Sequence, residues 1–294
     1  CIRRDGQKSP GDEKPLTFAS PAAVVTEAEN LGAQLQTIGS RDPAWQLEQL
    51  QKIETWLHQK TKWANDGSIS LALARAYWEA LNYTDALRWY EHALAEDPAS
   101  VTLNDIEKLA NLTSRACVDL WKKKEGGSDA ELSRRLNKAL KYLAWINKKM
   151  PFTAEGNSAR AKSRISERWS LVGSTYKRKA WISSDEKTMC QAVKEMKANY
   201  EEARKALKDD PAAYPILNIL MASLVENWVI KGASRTSQDF NKDLAAVKAF
   251  LAGASKTDLD FWTEIMSVDC QLFEYLVEKT WPTPSAETSR NKTR

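Results

Sequence analysis

The tightest constraint on this chain is a pattern in which small and aromatic residues interleave at helical spacing. It is clearest over residues 73–98, where Leu73-Ala74, Tyr77, Ala86, Tyr90, Ala93 and Pro98 follow one another. Small side chains at Ala74, Ala86 and Ala93 let two antiparallel helices approach closely. Tyr77 and Tyr90 fill the wedge beside them, and Pro98 ends the second helix. A second copy opens at WSLVGSTY, residues 169–176, where Trp169, Val172, Gly173 and Tyr176 repeat the arrangement. Its partner helix carries Met196, Tyr200 and Ala203, about 11 positions later than in the first copy, roughly three extra helical turns in total.

Most of the remaining chain reads as helix. Asp42-Pro43 is a start signal, because Asp accepts from free N–H groups and Pro is tolerated in the first turn. Behind it Trp45, Leu47, Leu50, Ile53, Trp56 and Leu57 make one apolar stripe, preceded by a helix over residues 24–38. Leu109 to Leu120 pairs with Leu132 to Ile146 across Glu125-Gly126-Gly127, and Pro215 to Val229 pairs with Phe240 to Leu251 across Gly232-Ala233-Ser234. A closing helix, Leu259 to Val277, is apolar at Phe261, Trp262, Ile265, Leu272 and Leu276. Residues 1–22 and 281–294 lack periodicity and are polar, which predicts flexible tails around one repeat domain, 23–280.

The motifs at 73–98 and 169–176 resemble those of the tetratricopeptide-repeat superfamily, with Ser70 standing where the family usually has a large apolar residue. The resemblance implies an all-α, right-handed solenoid of antiparallel helix pairs, here with two good repeats, two degenerate ones, a leading hairpin and a closing helix. DIEKLANLTSRA, SERWSLVGSTYKRKAW and YPILNILMASL, in this order, resemble helical regions of bacterial proteins that couple such repeats to CHAT (caspase-like) or trypsin-like protease domains. They also resemble the TRAF-binding region of stress-activated kinases. This likeness implies a regulatory or docking module for a protease-linked signalling or defence system.

Composition agrees with a folded helical protein: only 11 glycines and 10 prolines in 294 residues leave few breaks for an all-β chain. A net charge of +4 does not describe a nucleic-acid coat, so a nucleic-acid partner is not expected. Cys1, Cys117, Cys190 and Cys270 are dispersed, without a CxxC pair, which predicts free thiols in a reducing, cytoplasmic setting. The apolar run around Ile216 to Val225 falls short of the ~20 residues of a membrane span. The chain does not begin with Met. Lipidation at Cys1, as in a periplasmic lipoprotein scaffold, is the alternative to a module cut from something longer.

Chemistry finds little footing. The two histidines, His58 and His92, lie on helical segments and outside any recognisable active-site loop. No metal-ligand spacing occurs, and Gly126-Gly127 lacks the following Lys-Ser/Thr of a Gly-rich phosphate loop. The expectation is a non-enzyme with no cofactor and no metal. Residues 157–180 hold Arg160, Lys162, Arg164, Arg168, Lys177, Arg178 and Lys179 against Glu167 alone, and Lys122 to Lys124 form a further basic run. The plainer reading of 157–180 is a solvated helix face offset by Glu195, Glu201 and Glu202. The functional alternatives are a docking face for an acidic partner or, more remotely, nucleic-acid phosphate.

In the resembled family the first helix of each pair lines a groove through fixed motif positions. The mapping marks Ser68, Leu71, Arg75 and Trp78 in the first repeat, Glu107, Asn111 and Ser114 with Arg115 adjacent in the second, and Glu167, Ser170, Ser174 and Lys177 in the elongated one. Arg75, Trp78, Asn111, Arg115 and Lys177 are the candidate partner-binding residues, suited to a carboxylate, a peptide backbone or an apolar anchor. Their plainer role is helix packing. The expected function is therefore an adaptor that binds a protein or peptide, including a protease domain or its substrate. The alternative is a solenoid that gates an attached enzyme.

Overall fold

In a computed structural model of the chain, the described residues are 42–59, 66–125, 127–150, 158–207, 213–230, 238–253 and 261–278, with Leu31, Gln34 and Leu35. They form helices α1 Pro43–His58, α2 Gly67–Glu79, α3 Tyr83–Glu96, α4 Leu103–Lys123, α5 Asp129–Lys149, α6 Ala159–Ile182 and α7 Glu186–Leu207. These are followed by α8 Ala213–Leu224, a π-helical continuation Val225–Ile230, α9 Gln238–Gly253 and α10 Phe261–Glu278. No strand occurs among the described residues, and the architecture is an all-α helical repeat of tetratricopeptide type. The expected tails 1–22 and 281–294, the turn at 232–234 and nearly all of the 24–38 helix lie outside the described residues.

Side chains placed just before several of the helices account for where these start. Asp42 accepts from the Ala44 and Trp45 amides, with Pro43 in the first turn. Asp66 accepts from Ser68 and Ile69 at the start of α2, and Thr102 and Asp105 close a reciprocal capping box on α4. Ser128 and Ser158 cap α5 and α6 in the same way. Each bond satisfies one of the N–H groups a helix leaves orphaned at its start, worth about 1 kcal/mol. At the other end of α4, Lys124 takes the left-handed conformation at φ 59° and turns the chain toward α5.

The chain divides into two compact units, Cys1–Val101 and Thr102–Arg294. In the first, the α1 stripe buries Leu50, Ile53 and Leu57, and Trp45, Leu47 and Trp56 stay half-buried. Ala74, Tyr77, Ala86, Tyr90 and Ala93 are all buried where α2 and α3 meet, as the spacing predicts. Tyr77 donates from its hydroxyl to Glu54 at 2.6 Å, and Arg88 bonds the other Glu54 oxygen, tying α1 to the pair. Ser70 departs from the family pattern because His92 occupies the space. Fully buried, Ser70 shares a 3.1 Å hydrogen bond with His92 Nδ1, while the imidazole stands edge-on to Trp89.

The second unit repeats the theme three times, as α4/α5, α6/α7 and α8/α9, and closes with α10. The pair α6/α7 has the elongation expected, with helices of 24 and 22 residues against 13 and 14 in α2/α3. Met196, Tyr200 and Ala203 are buried on α7. The closing helix corrects one expectation. Ile265 and Leu272 are exposed at 36% and 43%, and α10 instead buries Cys270 and Phe273 with partly buried Met266, Leu276 and Val277. These pack on Leu217, Leu220 and Leu224 of α8 and Phe240, Leu244 and Val247 of α9. Apolar residues surround α10, so periodicity alone does not say which face is covered.

Candidate functional site

The first helices of successive pairs in the second unit, α4, α6, α8 and α10, present one run of polar side chains. Helix α6 brings Ser174, Lys177, Arg178 and Trp181 into two turns, α4 adds Ser114 and Arg115, and α8 adds Tyr214 and Asn218. Direct contact between α4 and α6, and the Lys177–Asn218 hydrogen bond from α6 to α8, bring these residues together. Gly173 lets α6 lie tightly on α7, and the Tyr200 hydroxyl of α7 then reaches to 3.4 Å from that of Tyr214.

Neutral groups hold the cations of this face. Arg178 donates from Nη1 to Ser114 Oγ and Ser174 Oγ, each at 3.0 Å. Lys177 donates from Nζ to Asn218 Oδ1 at 3.0 Å and lies 5.5 Å from the Trp181 ring centroid. Asn218, itself buried, is steadied by donating from Nδ2 to the Tyr214 carbonyl at 2.9 Å. Burial lowers the Arg178 pKa, and the neighbouring Arg115 charge lowers it further, against small opposing effects from Tyr200, Tyr214 and Asp119. Burial also lowers Lys177, with Arg178 acting in the same sense and Asp269 of α10 opposing. Asp269 in turn is raised by burial and pulled back by Lys177. The result is a half-buried cationic seam whose charge the surrounding hydroxyls and amides do not cancel.

The five residues singled out from sequence separate into two sets. Arg75 is exposed on α2, and Trp78 is half-buried with its ring edge-on to Tyr83 at 6.0 Å; both belong to the first unit. Asn111, Arg115 and Lys177 belong to the second. There the Arg115 charge acts on Arg178, the sequence neighbour of Lys177, while Asn111 sits a turn earlier on α4 and its carbonyl accepts from the Ser114 hydroxyl at 2.9 Å. Ser114 and Ser174, both mapped as groove positions, are the two acceptors of Arg178. Arg178, Tyr214 and Asn218 were not among the candidates. Arg178 was visible as the neighbour of Lys177 and four residues after Ser174, but nothing local distinguished it from Lys179, whose Nζ turns instead to Asn137.

Two members of the basic and groove sets have a structural use. Arg168 is 2% exposed and donates to Glu107 at 2.6 Å and to the Met150 carbonyl at 3.3 Å, so it pins α4, α6 and the end of α5 together. Glu107 is therefore the counter-charge of Arg168. The expected offset of the basic stretch by α7 acids takes another form: Glu195 accepts from Gln191 and Glu202 from Lys205, both within α7.

Catalytic and metal geometry is limited. His58 is exposed at the end of α1, 3.8 Å from Glu54, and His92 faces Ser70 and Trp89. Cys117 and Cys270 are buried free thiols and Cys190 is half-buried and free. Among the described residues no group of three or more His, Cys, Asp or Glu side chains is gathered as a metal site, and no helix is long and apolar enough to cross a membrane.

Paired helices with a polar first-helix face define a helical-repeat protein of the tetratricopeptide type, a class that binds other proteins. Residues 82–223 match the family model described as Tetratricopeptide Repeats-Sensor, and this supports the tetratricopeptide superfamily. The matched stretch runs from the cap of α3 through α8 and contains every residue of the cationic seam. No curated protein matches the chain.

Proposed function

We propose that the chain is a non-catalytic interaction module that takes an acidic segment of a partner protein on the first-helix face of α4, α6 and α8. The observation that carries this reading is the hydrogen bonding of Lys177 and Arg178 to Asn218, Ser114 and Ser174 rather than to carboxylates. A face that only had to be solvated has no reason to half-bury two cations on neutral acceptors. A face built to meet acidic groups does, because fixed charges away from bulk water select and steer an anionic partner. Trp181, 54% exposed, and Tyr214, 47% exposed, flank the cations as flat anchors of the kind that dominate interface energies.

The finer reading is a cytoplasmic adaptor that serves as the regulatory part of a protease-linked bacterial signalling or defence system, its partner being a protease domain or that domain's substrate. The resemblance of residues 105–116, 166–181 and 214–224 to helical regions of such proteins supports it. The word "sensor" in the matched family's description favours regulation over passive scaffolding. Free, dispersed cysteines suit a reducing compartment.

The test is affinity capture from native lysate with the 294-residue chain, run beside Lys177→Glu, Arg178→Glu and Arg75→Glu. Circular dichroism confirms the helicity of each variant. One dominant protein recovered by the parent and lost by Lys177→Glu and Arg178→Glu supports the reading. Equal recovery by all four, or none by any, overturns it.

A further inference from the structure

We propose that the outward side of α10 is a docking surface for an amphipathic helix of a partner protein, one whose apolar row is flanked by Lys and Arg. This goes beyond the acidic-segment reading, because the surface lies on the closing helix and its charge has the opposite sign.

The closing helix has two apolar sides. One packs inward through Cys270 and Phe273 on α8 and α9. The other is the row Ile265, Val268 and Leu272, which Tyr275 continues, and all four are exposed, Val268 at 60%. Residues three and four apart share one face of a helix, so the row is continuous over about 15 Å. Single exposed apolar side chains are ordinary on a protein surface. Among the described residues α4, α6 and α8 each leave one large apolar side chain exposed, Trp121, Trp181 and Tyr214. A row at alternating three- and four-residue steps, on a helix already anchored by its other side, is half of a helix–helix seam. The repeat pattern points the same way. Helix α4 packs on α5, α6 on α7 and α8 on α9, whereas no helix among the described residues follows α10.

The flanks of the row choose its occupant. With Ile265 and Leu272 as a positions and Val268 and Tyr275 as d positions, the flanking e and g positions are Glu264, Asp269, Gln271, Leu276 and Glu278. Helix α10 as a whole holds Glu264, Asp269, Glu274 and Glu278, and neither Lys nor Arg. Glu274 is matched by Lys248 of α9, and the half-buried Asp269 lies within reach of the Lys177 charge. Glu264 is exposed and meets no cation among the described residues. A second copy of α10 would set acid against acid along this seam in either orientation. A helix with basic flanks instead sets its charges against them while its apolar row covers Ile265, Val268 and Leu272.

Fluorescence anisotropy tests this with the full chain at about 0.15 M salt and three labelled 18-residue peptides, the length of α10. One carries leucines at three- and four-residue steps with Lys flanks, the second the same row with Glu flanks, and the third the Lys peptide with its row scrambled. The first is expected to bind saturably and at least about tenfold more tightly than the other two. Val268→Ser/Leu272→Ser should weaken that binding about tenfold or more with unchanged circular dichroism, since both side chains are exposed. Glu264→Lys should narrow the preference for Lys over Glu flanks, a change that lost packing alone would not produce. Phe250→Ser, an exposed position on α9, should leave binding as it is. Equal binding of the Lys- and Glu-flanked rows, equal binding of the scrambled peptide, retention by the double variant, or no binding at all overturns the proposal. Sedimentation velocity adds one more arm: a dimer of the parent that the double variant loses assigns the row to a second copy and also overturns it.

Discussion

Gly173 on α6 lies directly over the ring of Tyr200 on α7: a Cβ at Gly173 would sit 2.8 Å from Tyr200 Cδ2 and 2.9 Å from Cε2. Tyr200 is fully buried, held by the edge of Tyr214 at 6.0 Å and by Met196 and Val193 on its own helix. The ring therefore has no room to withdraw. Gly173→Ala is expected to lower stability by about 1–3 kcal/mol despite the better helix propensity of alanine. Gly253→Ala, at the end of α9 with nothing within 4 Å, should be neutral or gain up to about 1 kcal/mol. Urea unfolding of the two variants beside the parent checks the contrast, and equal effects would remove the close approach as its cause.

Arg168 and Glu107 form the ion pair that binds α6 to α4, with side chains 3% and 19% exposed. Arg168→Met should cost about 3 kcal/mol, because it removes a buried cation and strands Glu107. The double variant Arg168→Met/Glu107→Leu should recover part of that loss, since no charge is left unpaired. Denaturation midpoints of both singles and the double give the coupling directly.

Burial pushes the Cys117 thiol up to about 11, and Cys270 and the hydroxyls of Tyr77, Tyr176 and Tyr200 are raised by burial as well. The native state thus keeps protons that the unfolded chain releases. For Cys117 the stabilising contribution is whole below the ordinary thiol value near 9 and is lost as pH rises through about 11. Its size is about 2–3 kcal/mol. Stability measured at pH 8 and at pH 10.5 should fall less for Cys117→Ala than for the parent. The same protection predicts that iodoacetamide at pH 8 labels Cys190 before Cys117 or Cys270, as peptide mass spectrometry reads out.

On α10 the neighbours Leu272 and Phe273 differ sharply in burial, at 43% and 1% exposure. Phe273→Ala should cost about 3–5 kcal/mol by emptying the space against Phe240, whereas Leu272→Ala should stay within about 0.5 kcal/mol. Thermal melts of the two variants decide whether the closing helix packs by the Cys270–Phe273 face.

Much of the fold was legible because it is local. Asp42 reads as a cap from the sequence because its partners lie two or three residues away, and the structure adds Asp66, Thr102, Ser128 and Ser158 as caps of the same local kind. Ala74, Tyr77, Ala86, Tyr90 and Ala93 belong to one hairpin, so their spacing already contains the contact they make. The α10 face was not legible, because apolar residues occur all round that helix and the neighbours choose the covered side.

The candidate site divides along the same line. The sequence placed Arg115, Ser114, Ser174 and Lys177 on first helices through the resemblance of its motifs to the tetratricopeptide pattern. Only the tertiary structure decided which cations meet a carboxylate and which meet neutral groups. Arg168 finds Glu107 across 61 residues, while Arg178 finds Ser114 across 64 and Lys177 finds Asn218 across 41. The physical reason is that a buried side chain's charge is settled by the group that meets it. Along this chain that group is set by helix packing, which brings together residues no local spacing connects.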